Sequence, residues 1–345
     1  MKIFMIGTQR SGSNLFRLMI NQLPEIAAPH PPHILIRLMP LIGGYGDLSD
    51  PQAFAQLVDD TCRLVEANPV EWEGVDLDRA RIAARCDRND LYAVMAAVYD
   101  TLRETWSKRS WCCKSLGNVK YAGELADRFP DAKFIYLYRD GRDVALSFTK
   151  AIEGEKHYYN IAKDWDQAQQ TCLRLRERIG DERMLSISYE ALTGDETGTM
   201  KSVSTFLEAT FTEEAVKFYE TAEAHRAADA SNLWENVTKP VMKDNTRKFL
   251  NETSAADLRI FESVAGRSLD ELGYQRYAIK AGQELVFTPE EIAGFDRENK
   301  RLKHAAWEML DPDDRRRREE QKSVVDAIAE RNAARQQSDV VGSSR

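Results

Sequence analysis

Short apolar runs alternate with amphipathic stretches along most of this chain. Residues 3–6 are continuously apolar and end at Gly7, which predicts a buried strand of a parallel sheet. Residues 133–138 and 183–189 are rich in aromatic and branched side chains and predict two further strands. Because apolar residues between these runs recur at helical spacing, we expect an α/β fold in which helices flank a parallel β-sheet.

The helical spacing of apolar residues also predicts where the individual helices lie. An apolar face at residues 15, 18, 19 and 23 predicts a helix after the first strand, with Ser13 or Asn14 as its N-cap and Pro24 beyond its end. The pattern of residues 50–108 predicts two or three helices. Further helices are predicted at residues 144–152, 164–179, 198–207 and 255–265.

The composition of the chain changes after about residue 277. Thr288 and Pro289 are typical of a helix start, with Thr288 as N-cap and Pro289 at the first helical position. We therefore expect an α/β domain at residues 1–280, a charged helical extension at residues 285–337 and a disordered tail at residues 338–345. The charge block of residues 313–320 is typical of a solvated helix face, and a pairing or docking helix is the alternative.

Composition and charge narrow the class of protein. With 345 residues and 43% hydrophobic residues, the chain can bury a core, which excludes a wholly disordered protein. A net charge of −8 argues against nucleic acid as a partner. No apolar run is long enough for a membrane span. Five cysteines without a C-x-x-C pair predict reduced thiols and a cytoplasmic location, and a redox role of the adjacent Cys112 and Cys113 stays open.

A glycine-rich loop joins the first strand to the first helix. Gly7 and Gly12 have the spacing of a phosphate-binding loop, but Ser13 replaces the lysine of nucleotide hydrolases and Asn14 replaces their magnesium ligand. Main-chain N–H groups at a helix N-terminus still bind anions, and Arg10 adds positive charge. This P-loop-like start predicts a site for a phosphate-like group. A strand–helix turn that binds no ligand is the alternative.

A second candidate site follows the second predicted strand. Arg139 ends that strand, where open parallel sheets bind ligands, and Ser147 lies in the next helix and is predicted to face the same anion. An arginine guanidinium binds phosphate through two parallel N–H groups. The alternative is that Arg139, Asp140, Arg142 and Asp143 form ion pairs at the surface.

Together the two stretches resemble the sulfotransferase family, which uses 3′-phosphoadenosine 5′-phosphosulfate (PAPS) as its donor. The resemblance rests on RSGS at residues 10–13 and on YRDGRDVALS at residues 138–147. Weaker matches are FPDAKFI at 129–135, SYEAL at 188–192 and SLDELGY at 268–274. The resemblance covers about residues 1–277 and is nearest in character to protein-tyrosine and bacterial carbohydrate sulfotransferases.

The resemblance implies where the donor binds. The glycine-rich loop would hold the 5′-phosphosulfate, with Arg10 against the sulfuryl oxygens, while Arg139 and Ser147 would bind the 3′-phosphate. A late basic loop closes the nucleotide site in the family, and this chain has a basic segment at residues 239–248. The donor-binding residues implied are Thr8, Gln9, Arg10, Ser11, Gly12, Ser13, Asn14, Arg139 and Ser147, with Lys243, Arg247 and Lys248 in the late loop.

Sulfuryl transfer needs a base near the acceptor hydroxyl and positive charge near the breaking bond, and histidine suits the base near neutral pH. By the resemblance, His30 occupies the position of a catalytic glutamate in tyrosine-sulfating relatives, so we predict His30 as the base and His33 as the second candidate. Lys114 lies in a stretch similar to the family's K-[ST]-P-x-N and is a further catalytic candidate, alongside Arg10. The alternatives are that both histidines are ordinary loop residues, or that Glu25 is the base.

The leading hypothesis is a PAPS-dependent sulfotransferase that needs no metal ion and acts on a hydroxyl group of a carbohydrate, a phenol such as tyrosine, or another small alcohol. A nucleotide kinase or NTPase is the second hypothesis, against which the missing lysine argues. A non-catalytic nucleotide-binding relative with a role in assembly is the third. We also predict a homodimer that forms through the C-terminal helices.

Overall fold

A parallel sheet forms the centre of the structure, a computed structural model that describes residues 1–230 and 236–342. In this part of the chain its neighbouring strands are all parallel and follow the order β2-β3-β1-β4-β5. The predicted α/β class is therefore confirmed. The strands are β1 (Lys2–Gly7), β2 (Ile26–Ala27), β3 (Ser110–Cys113), β4 (Lys133–Tyr138) and β5 (Met184–Ser188).

The central strand β1 is buried on both faces. Phe4 and Ile6 belong to one apolar core, and Ile3 and Met5 belong to a second core on the opposite face of the sheet. Successive side chains of a strand alternate between faces, so a strand covered on both sides is apolar at every position. This explains why residues 3–6 form a continuous apolar run.

Helices cover both faces of the sheet. Helix α1 (Ser13–Asn21) follows β1, and α7 (Gly141–Lys150) follows β4. The other α-helices of the described residues are α2 (Ile34–Leu38), α3 (Pro51–Glu66), α4 (Arg79–Arg85), α5 (Leu91–Thr105), α6 (Ala122–Arg128), α8 (Tyr158–Ile179), α9 (Tyr189–Gly194), α10 (Glu196–Phe206), α11 (Ala222–Ala230), α12 (Phe249–Glu252), α13 (Ala255–Glu271), α14 (Pro289–Glu308) and α15 (Pro312–Gly342).

Some boundaries differ from the sequence prediction. Ser13 and Asn14, the predicted caps of α1, both lie inside the helix, and the N-cap is Gly12 in the left-handed conformation. Helix α7 begins at Gly141 instead of residue 144, because the Asp140 side chain caps it. Strands β2 and β3 were not predicted, since two and four residues are too short to show a period.

The C-terminal helices α14 and α15 pack back onto the chain. Helix α14 starts at the predicted cap, and Thr288 forms a capping box with Glu291. In α15, Arg331 forms an ion pair with the buried carboxylate of Asp60 in α3. The buried Gln321 side chain donates a hydrogen bond of 3.2 Å to a main-chain carbonyl of α3. Buried polar contacts thus fix the position of α15.

Some apolar residues of this region pack within the chain. Phe295 of α14 stacks on the His157 ring with a centroid distance of 4.6 Å, and Leu310 is buried. The homodimer stays a prediction. Helix α15 continues to Gly342, through most of the segment predicted as a disordered tail, and residues 343–345 lie outside the described part of the chain.

Candidate active site

The strands of the sheet end next to polar residues of the predicted site. In sheet order, β2 is followed by His30, β3 by Lys114, β1 by the loop that contains Arg10, β4 by Arg139 and β5 by Tyr189. The carboxyl ends of parallel strands meet at one edge of a sheet, so these residues share that edge. The glycine-rich loop lies in the centre, with His30 and Lys114 on one side and Arg139 on the other.

Two glycines give the central loop its shape. Gly7 has a φ of 139°, and a Cβ atom there would lie 2.1 Å from the carbonyl oxygen of Leu137. Gly12 has a φ of 81°, and its Cβ atom would lie 2.5 Å from the Tyr189 ring. Arg10 also has a positive φ, of 68°, a conformation that costs a non-glycine residue about 1 to 3 kcal/mol. Backbone strain is therefore located in the predicted anion-binding loop.

Arg139 ties this loop to two other segments. Its Nη1 donates to the main-chain carbonyl of Arg10 at 3.1 Å, and its Nη2 donates to that of Asn245 at 2.6 Å. The guanidinium lies over the Tyr189 ring, 4.3 Å from the centroid. Its buried Nε atom has no hydrogen-bond partner among the described residues. The arginine is thus held rigidly and keeps one unsatisfied donor.

The two predicted anion-binding stretches touch each other. Arg10 Nε donates to the hydroxyl of Ser147 at 3.0 Å, although the residues are 137 positions apart. Burial lowers the pKa of the Arg10 guanidinium, Glu153 opposes that shift and Arg139 adds to it. An anion bound between the two arginines would offset the repulsion between them.

The other charged residues after Arg139 are buried, so the alternative of surface ion pairs is wrong. Arg142 pairs with both carboxylate oxygens of Asp140 at 2.8 and 2.9 Å and with Glu262 at 2.6 Å. Asp143 accepts main-chain N–H groups of residues 247 and 249 at 2.6 and 3.1 Å. These ion pairs and caps hold the start of α7 and the segment that covers Arg139.

Two cavities meet at the glycine-rich loop. The Arg139 cavity, of about 180 Å³, is lined by Arg139, Ser147, Tyr189 and Asn245 among others. The histidine cavity, of about 550 Å³, is lined by residues that include His30, His33 and Lys114. Arg10, Ser13 and Asn14 line both cavities. The loop is therefore a wall that the two cavities share.

The two predicted base candidates both line the histidine cavity. The Nδ1 atom of His30 lies 3.4 Å from the amide oxygen of Asn68, whose own NH₂ group donates to the main-chain carbonyls of His30 and Val70. Burial first, then the charges of Lys114 and Arg17, hold the pKa of His30 well below its ordinary value. Burial and Lys114 lower the pKa of His33 to about 3. Both imidazoles are therefore neutral near pH 7.

Lys114 is almost fully buried between the loop and the histidines. Its Nζ donates to the amide oxygen of Asn14 at 2.5 Å. Burial lowers the pKa of Lys114 to about 7, and Arg17 and Arg10 contribute to this shift. A negatively charged ligand beside Lys114 would favour the ammonium form and raise this pKa again.

The remaining loop residues have different surroundings. Thr8 accepts a hydrogen bond of 2.7 Å from Gln169 of α8, and Gln9 lines the histidine cavity. Ser11 is fully buried, and its hydroxyl has no hydrogen-bond partner in the described part of the chain. An orphaned buried hydroxyl in an anion-binding loop is a position at which a ligand could accept a hydrogen bond.

The predicted late basic loop lies beside the Arg139 cavity, but its charges do not line it. The side chains of Lys243, Arg247 and Lys248 are exposed. The segment instead contributes Met242 and Asn245 to the cavity lining. The role of the three basic side chains in donor binding stays a prediction.

Several lining residues were not predicted as site residues. Tyr189 and Asn245 belong to stretches that the sequence analysis quoted, so a signal for them existed. Arg37, Trp307 and Arg318 line the histidine cavity without any local sequence signal. Trp307 and Arg318 come from the C-terminal helices, which reach the cavity only through the tertiary packing described above.

The adjacent cysteines lie in the buried strand β3. Burial is the first cause that raises the pKa of the Cys112 thiol and of the Cys113 thiol, which keeps both protonated. Across residues 1–230 and 236–342, no group of three or more His, Cys, Asp or Glu side chains is placed to hold a metal ion.

Comparisons with known proteins point in one direction. Residues 2–213 match the model described as "Sulfotransferase family". Protein-tyrosine sulfotransferase 2 of Gallus gallus is 23% identical over 285 residues, which cover 80% of this chain and 70% of that protein. Protein-tyrosine sulfotransferase of Drosophila melanogaster is 22% identical over 284 residues, which cover 80% of this chain and 52% of that protein.

A solved structure has a similar fold. The sulfotransferase domain from the Synechococcus PCC 7002 olefin synthase superposes with a TM-score of 0.56 and 19% sequence identity, covering 79% of this chain and 94% of that chain. At this level of identity the likeness concerns the fold alone.

The predicted cytoplasmic location is wrong. The matched relatives are protein-tyrosine sulfotransferases, which are Golgi membrane enzymes. The prediction rested on the number and spacing of the cysteines, which report on the redox state of thiols and only indirectly on a compartment. None of the helices in the described residues combines the length and the hydropathy needed to cross a bilayer.

Proposed function

The chain belongs to the sulfotransferase family, and on this premise we propose that it transfers the sulfuryl group of PAPS to a hydroxyl group of a carbohydrate, a phenol or another alcohol. The observation that carries the proposal is the loop of residues 8–14, which separates the Arg139 cavity from the histidine cavity. A group transferred between two substrates must sit where both substrates reach it, and a shared wall offers such a place.

The residues of the Arg139 cavity fit the phosphate groups of the donor. Arg139 keeps an unsatisfied Nε, and Ser11, in the adjoining loop, has an orphaned hydroxyl. The missing Cβ of Gly12 lets the Tyr189 ring pack against the loop. The first N–H groups of α1 have no acceptor within the helix and carry the positive end of its dipole. We assign the 3′-phosphate to Arg139 and Ser147, and the phosphosulfate to the loop and Arg10.

The transfer itself needs only positioning, charge and one proton acceptor. An oxygen–sulfur bond to the acceptor forms while the bond between sulfur and the 5′-phosphate oxygen breaks, which leaves a sulfate ester and 3′-phosphoadenosine 5′-phosphate (PAP). Arg10 and Lys114 would stabilise the negative charge that develops on the leaving phosphate. The hydroxyl proton would pass to a histidine of the second cavity.

His30 is our candidate for that base. The Asn68 amide is fixed by two main-chain carbonyls, so its oxygen faces Nδ1 of His30 and favours the tautomer with the proton on Nδ1. The basic lone pair then lies on Nε2. A bound phosphosulfate would oppose the positive charges that lower the pKa of His30 and would strengthen it as a base.

We expect PAP to stabilise the protein selectively. Arg139 and Ser147 are predicted to bind a 3′-phosphate, which ATP and 5′-AMP lack. At about 100 times its dissociation constant, PAP should add about 2.7 kcal/mol to the free energy of unfolding, and a thermal shift assay would measure this effect. Stronger stabilisation by ATP with magnesium would favour a kinase or NTPase. No response to any of these nucleotides would favour a relative that does not bind the donor.

Replacement of His30 is expected to separate binding from turnover. The His30→Ala variant should bind PAP with unchanged affinity and lose about 10²- to 10⁴-fold in kcat, because it lacks the proton acceptor. The His30→Gln variant should show the same loss with less disturbance of packing. His225→Ala, an exposed histidine of α11, is the matched control. A normal rate in both His30 variants would assign the base to another residue, with His33 next in line.

A further inference from the structure

The C-terminal helices complete the wall of the histidine cavity, which the proposed function assigns to the acceptor. Trp307 of α14 and Arg318 of α15 line this cavity together with Arg37 of α2. The family model ends at residue 213, so Trp307 and Arg318 lie outside the matched region. The acceptor wall formed by α14 and α15 is therefore a property of this chain that the family match does not describe.

The position of α15 is fixed by contacts that follow Arg318 along the helix. Gln321 is buried and donates to the main-chain carbonyl of Leu64, and Arg331 binds both oxygens of Asp60 at 2.5 and 3.0 Å. Farther along α15, Asn332 packs against Gly44, where a Cβ atom would lie 2.4 Å from it. A helix held by three such contacts presents Arg318 to the cavity in a defined place.

The charges around the histidine cavity are strongly positive. Its lining contains the carboxylate of Glu153 and five basic side chains, those of Arg10, Arg37, Lys114, Arg318 and Lys322. A bound phosphosulfate would neutralise Arg10 and Lys114 at the loop. Lys322 already pairs with Asp326 one turn along α15. Near Arg37, the remaining charged groups of the lining are Arg318 and the carboxylate of Glu153.

The positive charge of Arg37 is the one that nearby negative charge compensates least. Arg318 pairs with Glu153, whereas among the described residues no hydrogen bond or ion pair engages the Arg37 guanidinium. Burial lowers the pKa of Arg37, Glu153 opposes this shift and Arg318 adds to it, so the three groups share one electrostatic neighbourhood. A partly buried guanidinium that no direct ion pair engages is stabilised by an anion supplied from outside.

We propose that the acceptor carries an anionic group, a carboxylate or a phosphate, that binds between Arg37 and Arg318 while its hydroxyl faces the glycine-rich loop. This inference rests on the proposed function, because it assigns the histidine cavity to the acceptor. The apolar face of Trp307 lies on the same wall and suits the body of a ring-shaped acceptor. The acceptor class is thus a hydroxy acid or a hydroxyl-bearing phosphate ester, and not a neutral alcohol.

Paired acceptors that differ only in charge test the proposal. The pairs are 4-hydroxyphenylacetate with its amide, and glucuronate with its amide, each assayed with PAPS. We expect kcat/KM for the anionic member of at least one pair to exceed that of the neutral member by about tenfold or more. This ratio should fall towards one in Arg37→Gln and Arg318→Gln, mainly through KM. Arg316→Ala, an exposed arginine of α15 that pairs with Asp313, should keep the wild-type ratio.

Binding measurements distinguish a failure of the anion site from a failure of the proposed function. Calorimetric titration of both members of each pair into the protein, with and without PAP, reports anion preference even where no product forms. If PAP fails to bind, the proposed function fails, while preferential binding of the anionic members would still support the anion site. The anion site is overturned if PAP binds and the anionic and neutral members of each pair bind and react equally well. It is also overturned if the Arg37 and Arg318 variants keep the preference for the anionic member. The same holds if no member of either pair binds.

Discussion

Replacing Arg139 by alanine is expected to abolish useful binding of PAP. Truncating one partner of a buried, hydrogen-bonded charge pair costs about 2 to 5 kcal/mol, which weakens binding by about 30-fold to several thousand-fold. Arg139 is buried, and it joins the carbonyls of Arg10 and Asn245, so its loss removes a phosphate ligand and loosens the loop that binds the phosphosulfate. Calorimetric titration of PAP into the variant measures the effect.

A matched control separates lost phosphate binding from lost structure. Arg183 also binds main-chain carbonyls, those of Ala126, Phe129 and Ala132 at 3.0 to 3.3 Å, but it precedes β5 at the opposite edge of the sheet. Arg183→Ala should leave the affinity for PAP unchanged. Arg139→Lys keeps the charge without the planar fork and should bind with intermediate affinity. Wild-type affinity in a folded Arg139→Ala protein would place the 3′-phosphate elsewhere.

The strands predicted from the sequence are those whose burial shows as an apolar run in their own residues. The strands β1, β4 and β5 lie next to one another in the sheet, and each is long enough for its apolar run to stand out. Strand β3 has the sequence SWCC and is equally buried, but four residues with a serine and two cysteines show no recognisable period. Strand β2 has two residues and is defined only by its pairing with β3. Its existence is a consequence of the tertiary structure.

The start of α7 shows how buried charge misleads a reading of hydrophobicity. Gly141, Arg142 and Asp143 form its first turn and are all buried, although two of them are charged. A pattern rule assigns such residues to a surface loop, and the prediction accordingly began the helix at residue 144. These residues can be buried because each charged side chain is paired with another segment of the chain. No local sequence pattern reveals such pairing.

Some residues of the candidate site could be placed from the sequence, and others could be placed only from the tertiary structure. Arg10, Lys114 and Arg139 follow strands directly, so strand prediction and the strand-end rule bring them to one edge. Arg318 reaches the same edge because a helix nearly 300 residues from the loop packs against α3. The charge block was expected to form a solvated face, and Arg316 fits that expectation, while Arg318 is largely buried against Glu153. Only the tertiary structure distinguishes two arginines that are two positions apart.

The largest effect on stability is expected for Glu262→Ala. The Glu262 carboxylate is fully buried, pairs with Arg142 at 2.6 Å and accepts main-chain N–H groups of residues 277, 278 and 279 at 2.7 to 3.1 Å. Without the carboxylate, Arg142 keeps Asp140 as its counter-ion, but the main-chain N–H groups of residues 277, 278 and 279 lose their acceptor. Each unsatisfied buried donor costs about 1 to 3 kcal/mol. Whole-domain stabilities are about 5 to 15 kcal/mol, so the midpoint of urea unfolding should fall markedly.

The position of Glu262 extends this effect to the active site. Arg142 also binds Asp140, the N-cap of α7, and Asp140 directly follows Arg139, so a loosened Arg142 weakens the support of the predicted phosphate ligand. Glu271 of the same helix provides the control, because its exposed ion pair with Arg267 should contribute less than about 1 kcal/mol. If Glu262→Ala unfolded at the wild-type urea concentration, the attraction within the network would do no more than offset the desolvation of its charges. The rigidity of Arg139 would then depend on its bonds to Arg10 and Asn245 alone.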